Sequence, residues 1–190
     1  MDGTNVLPKV VPVGGEFLIV DTDAQDIFIP EELDDEQLMI KQTVRDFVQQ
    51  HTARLDLLAE QPSLLEAAGE LGLVGAHIPE VYGGMEMDKN TVTAILEELG
   101  RAGGSFDTTF AAHTGIGMLP ILYFATDEIK KKYLPALSTG QLKAAYCLTE
   151  PGSGSDALAA KTTATYDAAA DDYIIEGQKI WISNAGFADV

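Results

Sequence analysis

Between Tyr146 and Asp156 the chain reads Tyr-Cys-Leu-Thr-Glu-Pro-Gly-Ser-Gly-Ser-Asp, a stretch dense in groups that can hold a ligand. Ala144 to Leu148 are small and β-prone, the composition of a short buried strand. Pro151 ends such a ladder because it has no N–H to donate. Gly152 and Gly154 free the backbone, while Ser153, Ser155 and Asp156 add oxygens. A strand opening into a Gly/Ser loop can present N–H groups and hydroxyls to an anionic or heteroaromatic ligand. A surface turn is the plainer reading of the same run. Glu150 and Asp156 flank the loop and suggest an acid pair, but nothing in the sequence fixes their separation. His113 has no second histidine, cysteine or carboxylate at ligand spacing, so a structural histidine is expected there and no metal site. Lys130, Lys131 and Lys132 read as a solvated helix face rather than a phosphate patch.

A second segment carries more weight: Tyr173 to Val190 reads Tyr-Ile-Ile-Glu-Gly-Gln-Lys-Ile-Trp-Ile-Ser-Asn-Ala-Gly-Phe-Ala-Asp-Val. Taken with the first, it closely resembles the acyl-CoA dehydrogenases. Their flavin loop reads Thr-Glu-Pro-x-x-Gly-Ser-Asp, and a following strand reads Gly-x-Lys-x-Trp-Ile-Ser/Thr-Asn. Ala112-His113-x-x-Ile116-Gly117 and Lys132-Tyr133-Leu134-Pro135 fit the same resemblance. It extends over most of residues 35–190 and looks nearest to the very-long-chain branch.

The resemblance implies FAD as cofactor, and oxidation of an acyl-CoA to the trans-2-enoyl-CoA in fatty acid β-oxidation. A carboxylate takes the α proton and the flavin accepts the β hydride. Carried over by motif, Tyr146, Leu148 and Thr149 would meet the flavin through main chain and hydroxyl. Gly154 and Ser155 would approach its diphosphate, and Ser155 would also meet the CoA. Trp181 would lie against the ring system, and the Ser183 hydroxyl would reach N5. Ala111, Ala112 and Gly115 keep a helix slim, which the resemblance turns into a deep pocket for a long acyl chain; close helix packing is the competing reading. For Trp181, a core indole in an alternating strand is the competing reading; Ser183 and Asn184 could simply end that strand. An electron-transfer flavoprotein would be the redox partner, and the full-length protein a homo-oligomer. The family's catalytic glutamate belongs to a C-terminal helical domain expected beyond Val190. Residues 1–190 alone are therefore expected to lack turnover and to hold FAD weakly or not at all. A helical binding or assembly module of the same fold, and an acyl-CoA oxidase, stand as alternatives.

What must position these residues is an α+β arrangement: an all-α N-terminal domain, then the first strands of an incomplete antiparallel β domain. The chain divides into an extended arm over 1–33, a helical domain over 34–143 and the start of a β domain over 144–190. Asp34 and Asp35 suit a helix N-terminus, after which Ile40, Val44, Phe47 and Val48 recur at helical spacing. Ser63 to Glu66 has the capping-box pattern of a second helix, with Leu64, Leu65, Ala68 and Leu71 on its apolar side. Val92, Ile95, Leu96 and Leu99 mark a third, beginning at Asn90 or Thr91. Thr126 to Ile129 opens the last helix, and Pro135 and Gly140 close the helical region. Strands are predicted at 144–149, 161–166 and 173–183, with 167–172 as a polar hairpin connection.

The composition sets outer limits. With 190 residues, 46% apolar and 22% charged, the chain has a globular composition. A net charge of −18 argues against nucleic acid and anionic membranes as partners. The single cysteine, Cys147, excludes an intrachain disulfide and suits a reducing compartment; in its apolar setting it is expected to be a small buried hydrophobe. No secretory signal or transit peptide is visible, so a cytoplasmic location is expected. The uncharged stretch from Thr108 to Thr126 is long enough for a membrane span. Its threonines, glycines and proline fit a buried helix pair better, and no transmembrane segment is expected.

Overall fold

The computed structural model describes residues 15–51, 53–101 and 103–190, in two units, Met1–Met39 and Ile40–Val190. In the first unit, 3-10 turns at Glu16–Leu18, Ala24–Asp26 and Pro30–Glu32 interrupt an otherwise irregular chain. The apolar run Phe17–Val20 stands in solvent. Residues 1–14 of the predicted arm lie outside the described residues. The unit ends with the first residues of helix α1 (Asp35–His51). Asp34 is its cap: Oδ1 accepts the main-chain N–H of Gln37 at 2.8 Å, and Gln37 Oε1 accepts the N–H of Asp34 at 3.1 Å. This reciprocal pair satisfies two donors that a helix start otherwise leaves open.

The second unit carries the rest of α1, then α2 (Gln61–Glu70), α3 (Lys89–Gly100), α4 (Gly104–Ala111), a π-helical segment (Ala112–Gly117), α5 (Met118–Phe124) and α6 (Asp127–Ser138). Their apolar faces close on one core. Val44 and Phe47 of α1, Leu64 and Leu65 of α2, Ile95 and Leu99 of α3 and Phe106 and Phe110 of α4 meet Leu134 and Leu137 of α6 there. Each such side chain contributes about 2 kcal/mol of transfer free energy. Opposite the core, Glu98 is buried among Lys41, Arg45 and Arg101, tying α1 to α3.

Several helix boundaries differ from expectation. Helix α2 starts at Gln61 rather than at Ser63, with Pro62 in its first turn, where a missing N–H costs nothing. The Ser63 hydroxyl donates back to the Glu60 carbonyl at 2.9 Å instead of capping. Leu71, expected in the core, is exposed, because α2 ends at Glu70 and the chain turns at Gly72, φ +75°. Helix α3 begins at Lys89, its start fixed by Asp88, whose Oδ1 accepts the N–H groups of Asn90 and Thr91. Pro135 does not close α6, which runs on to Ser138. The carbonyl that Pro135 leaves unpaired belongs to Lys131 on the exposed face, where water reaches it, while Leu134 and Leu137 hold the core face.

The predicted helix pair over the uncharged stretch is one helical run, α4–π–α5, widened at Ala112–Gly117. Among the described residues no helix is long and apolar enough to cross a membrane.

The β region is smaller than predicted. Strands β1 (Thr163–Asp167) and β2 (Asp172–Glu176) form an antiparallel hairpin with Thr165 opposite Ile174. Residues 144–149 join no sheet, and 177–183 leave the strand. Glycine explains the second departure. A Cβ on Gly177 would sit 2.1 Å from Thr162 Oγ1 and 2.8 Å from its Cα, so the backbones approach closely just where the ladder stops.

Candidate functional site

The two motif segments meet. The main-chain N–H of Ile180 donates to the Thr149 carbonyl at 2.9 Å, and Lys179 Nζ donates to the Leu148 carbonyl at 3.0 Å. A turn follows Thr149, with Glu150 and Ser153 exchanging main-chain hydrogen bonds and Ser153 Oγ donating to the Asp156 carbonyl at 2.8 Å. Trp181 stands next to this junction. It is 87% exposed at φ +58°, so the reading of a core indole in an alternating strand is overturned. Tyr146 and Leu148 are also exposed, and so is Cys147, contrary to the expected buried strand and buried thiol. Among the described residues, the main-chain N–H groups of Tyr146, Cys147, Leu148 and Thr149 donate to nothing. Gly154 and Ser155 are exposed on the loop, and a Cβ on Gly154 would meet open space.

Glu150 is no acid. Its carboxylate accepts the N–H of Lys161 at 2.6 Å and of Thr162 at 3.0 Å, and Lys179 Nζ at 2.9 Å. The Lys161 N–H and then the Lys179 ammonium hold the group well below the usual carboxylate range. Asp156 gives its main-chain carbonyl, not its carboxylate, to this turn, so the suggested acid pair does not form.

Beside the junction lies a cleft of about 1000 Å³. One wall is Ser183–Phe187, another the start of α4 (Gly104, Ser105, Thr108, Thr109), a third the approach to α2 (Asp56, Pro62). Asn184 anchors this wall. At φ +68°, a conformation asparagine tolerates, Nδ2 donates to the carbonyls of Thr109 at 3.0 Å and Ala144 at 3.2 Å. Ser183 is exposed on the wall. Ala111, Ala112 and Gly115 lie further along the same helical run, outside this lining: Ala112 is buried, Ala111 and Gly115 half-buried. A Cβ on Gly115 would meet open space, whereas one on Gly117 would lie 2.6 Å from Ala144 Cβ.

His113 serves the scaffold, as expected. Its Nδ1 accepts the N–H of Ala144 at 3.0 Å and its Nε2 reaches the Leu137 carbonyl at 3.0 Å. Burial lowers the ring's pKa, so it stays neutral. Lys131 and Lys132 stand in solvent, and Lys132 also lies over the Tyr133 ring. Sequence reasoning missed Lys179, Gly177 and the structural role of Asn184. The only signal was the Gly-x-Lys-x-Trp spacing, which says that these residues travel together and not what each one touches.

A helical unit joined to a two-part loop wall beside a cleft defines the fold class. Residues 34–141 match the N-terminal domain of the acyl-CoA dehydrogenases and residues 145–190 their middle domain. The chain belongs to that family. It is 48% identical over 186 residues to a probable acyl-CoA dehydrogenase of Bacillus subtilis, covering 95% of this chain and 31% of the relative. The very long-chain specific acyl-CoA dehydrogenase of human mitochondria is 40% identical over 121 residues, 64% of this chain and 18% of that one. The crystal structure of an acyl-CoA dehydrogenase complexed with FAD from Bacillus anthracis superposes with a TM-score of 0.86 at 48% identity, covering 93% of this chain and 32% of that one. The chain thus spans about a third of the length of the first of these relatives.

Proposed function

We propose that this chain supplies the helical domain and one wall of the FAD site of an acyl-CoA dehydrogenase that oxidises long-chain acyl-CoA to the 2-enoyl thioester. One observation carries the reading. Among the described residues, four consecutive main-chain N–H groups, Tyr146 to Thr149, lack partners beside an exposed indole, and a flat heteroaromatic ring with acceptor atoms would satisfy both. When bound, FAD would accept the hydride from the β carbon. This chain's residues would hold it: Tyr146, Leu148 and Thr149 by main chain and hydroxyl, Trp181 by ring contact, Ser183 by its O–H. Gly154 and Ser155 would approach the diphosphate, and Ser155 the CoA. The cleft beside Ser183 would admit the acyl chain, and Ala111, Ala112 and Gly115, further along the same helical run and outside the cleft lining, are proposed to meet its tail.

No residue of this chain is assigned the α-proton base. Glu150 has its oxygens engaged by three donors, and Asp156 stands in an exposed turn. The long-chain preference is supported by the size of the cleft and the identity to a very long-chain enzyme. An electron-transfer flavoprotein as acceptor, homo-oligomeric assembly and a cytoplasmic location complete the proposal. The domain limits 34–143 and 144–190 are part of it.

Flavin absorbance in the whole protein, and its bleaching by palmitoyl-CoA, test the reading. Absence of both would overturn it, and faster turnover of octanoyl-CoA would overturn the long-chain preference. Peroxide release during turnover would favour an oxidase. Residues 1–190 alone are expected to show no turnover.

A further inference from the structure

We infer that Glu150 is a positioning residue for the cofactor wall: it locks three separate segments together without touching any ligand itself. This rests on the flavin reading above. The Glu150 side chain is 6% exposed, buried behind residues that are open to solvent. Its Oε2 takes the N–H of Lys161, and its Oε1 takes the N–H of Thr162 and the Lys179 ammonium. Lys179 passes the constraint on, because the same Nζ donates to the Leu148 carbonyl, and the next residue's N–H donates to Thr149. The loop after Thr149, the entry to β1 and the segment carrying Trp181 are therefore fixed by one carboxylate. Together with the Ile180–Thr149 main-chain bond, that carboxylate fixes the relative placement of the free N–H groups of 146–149 and the Trp181 indole.

The chemistry demands a carboxylate. Three donors converge on it, and one is a cation, so the acceptor must offer two oxygens and a negative charge. Glutamine would keep one oxygen and turn an NH2 group toward a donor. The lowered pKa of the group fits this role, because the Lys161 N–H and the Lys179 ammonium that fix the carboxylate also favour its charged form. Gly177 belongs to the same device: any Cβ there would collide with Thr162, one of the clamped residues.

The test uses the whole protein with FAD as the probe, comparing wild type with Glu150→Gln, Glu150→Asp and Lys179→Met. Hydrogen exchange is read over 159–164 and 178–183, and FAD affinity by flavin absorbance after gel filtration. Glu150→Gln is expected to speed exchange in both segments at least tenfold, with α1 and α3 unchanged, and to weaken FAD binding at least tenfold. Lys179→Met should do the same more weakly, and Glu150→Asp should restore part of the affinity. Unchanged exchange in Glu150→Gln would overturn the clamp. Faster exchange with undiminished FAD affinity and an unaltered flavin spectrum would overturn the positioning role. A wild-type protein that takes up no FAD would instead overturn the flavin reading, while the exchange data would still decide whether the clamp exists.

Discussion

His113 and Ala144 are joined by a hydrogen bond from the Ala144 main-chain N–H to the imidazole Nδ1, 3.0 Å long and fully buried. Because Nδ1 accepts, the ring proton is on Nε2 and is donated to the Leu137 carbonyl. One side chain thus links the π-helical segment, the end of α6 and the run that leads into the loop of residues 150–156.

Replacing His113 by alanine strands the buried Ala144 N–H, takes one donor from the Leu137 carbonyl, which keeps the Gly140 N–H, and leaves a cavity. The expected loss is about 3 kcal/mol or more. Urea denaturation followed by far-UV circular dichroism measures it, and a loss below about 1 kcal/mol would contradict the assigned role.

The same histidine gives the fold a pH dependence. His113, His77 and His51 all have pKa values lowered chiefly by burial. Each binds its proton more readily in the unfolded chain, so stability is complete above the unfolded value of about 6.5 and falls as pH drops below it, until the folded rings themselves protonate. The melting temperature should therefore fall between about pH 7.5 and 5.5. Glu150 adds nothing in that window, because a depressed carboxylate loses its contribution only at far lower pH.

Two glycines of the π-helical segment should respond oppositely to alanine. Gly115→Ala meets open space and should stabilise by about 0.5 kcal/mol through the unfolded chain. In Gly117→Ala the new methyl lies 2.6 Å from Ala144 Cβ, so the run beginning at Ala144 must shift, at a cost of about 2 kcal/mol. Paired thermal melts decide it, and equal effects would contradict the packing described.

Glu98→Ala removes the only carboxylate of the α1–α3 cluster that is fully buried, leaving Lys41 inside without that partner. A loss of about 3 kcal/mol is expected, reduced by the ease with which the half-exposed Arg45 and Arg101 rehydrate. Glu97→Ala, at an exposed position, should cost less than about 1 kcal/mol.

Local chemistry and periodicity made the helices legible. Val44 and Phe47, or Ile95 and Leu99, recur at a spacing that can bury only one face, and Asp34 announces its own helix. The site's chemistry was legible through two motifs: Thr149–Asp156 and Gly177–Asn184. The misread parts all depend on neighbours distant in the chain. Cys147 looked buried because its neighbours are apolar, and the competing reading of Trp181 as core rested on the isoleucines that flank it, yet exposure is set by what packs on top. Periodicity likewise could not foresee that 177–183 leaves the ladder, since the reason is the close approach of Gly177 to Thr162.

By itself, then, the sequence determined which residues could make helices, which loop could face a ligand, and the family to which both belong. Only the tertiary structure decided that three donors converge on Glu150, and that Asn184 ties its loop to Thr109 and Ala144. It also decided that the indole of Trp181 stands in the open. Those roles come from contacts between residues 11 to 75 positions apart, such as Glu150 with Lys161 and Asn184 with Thr109. The energy of a carboxylate or an amide depends on which donors, acceptors and solvent surround it, and folding alone brings those together.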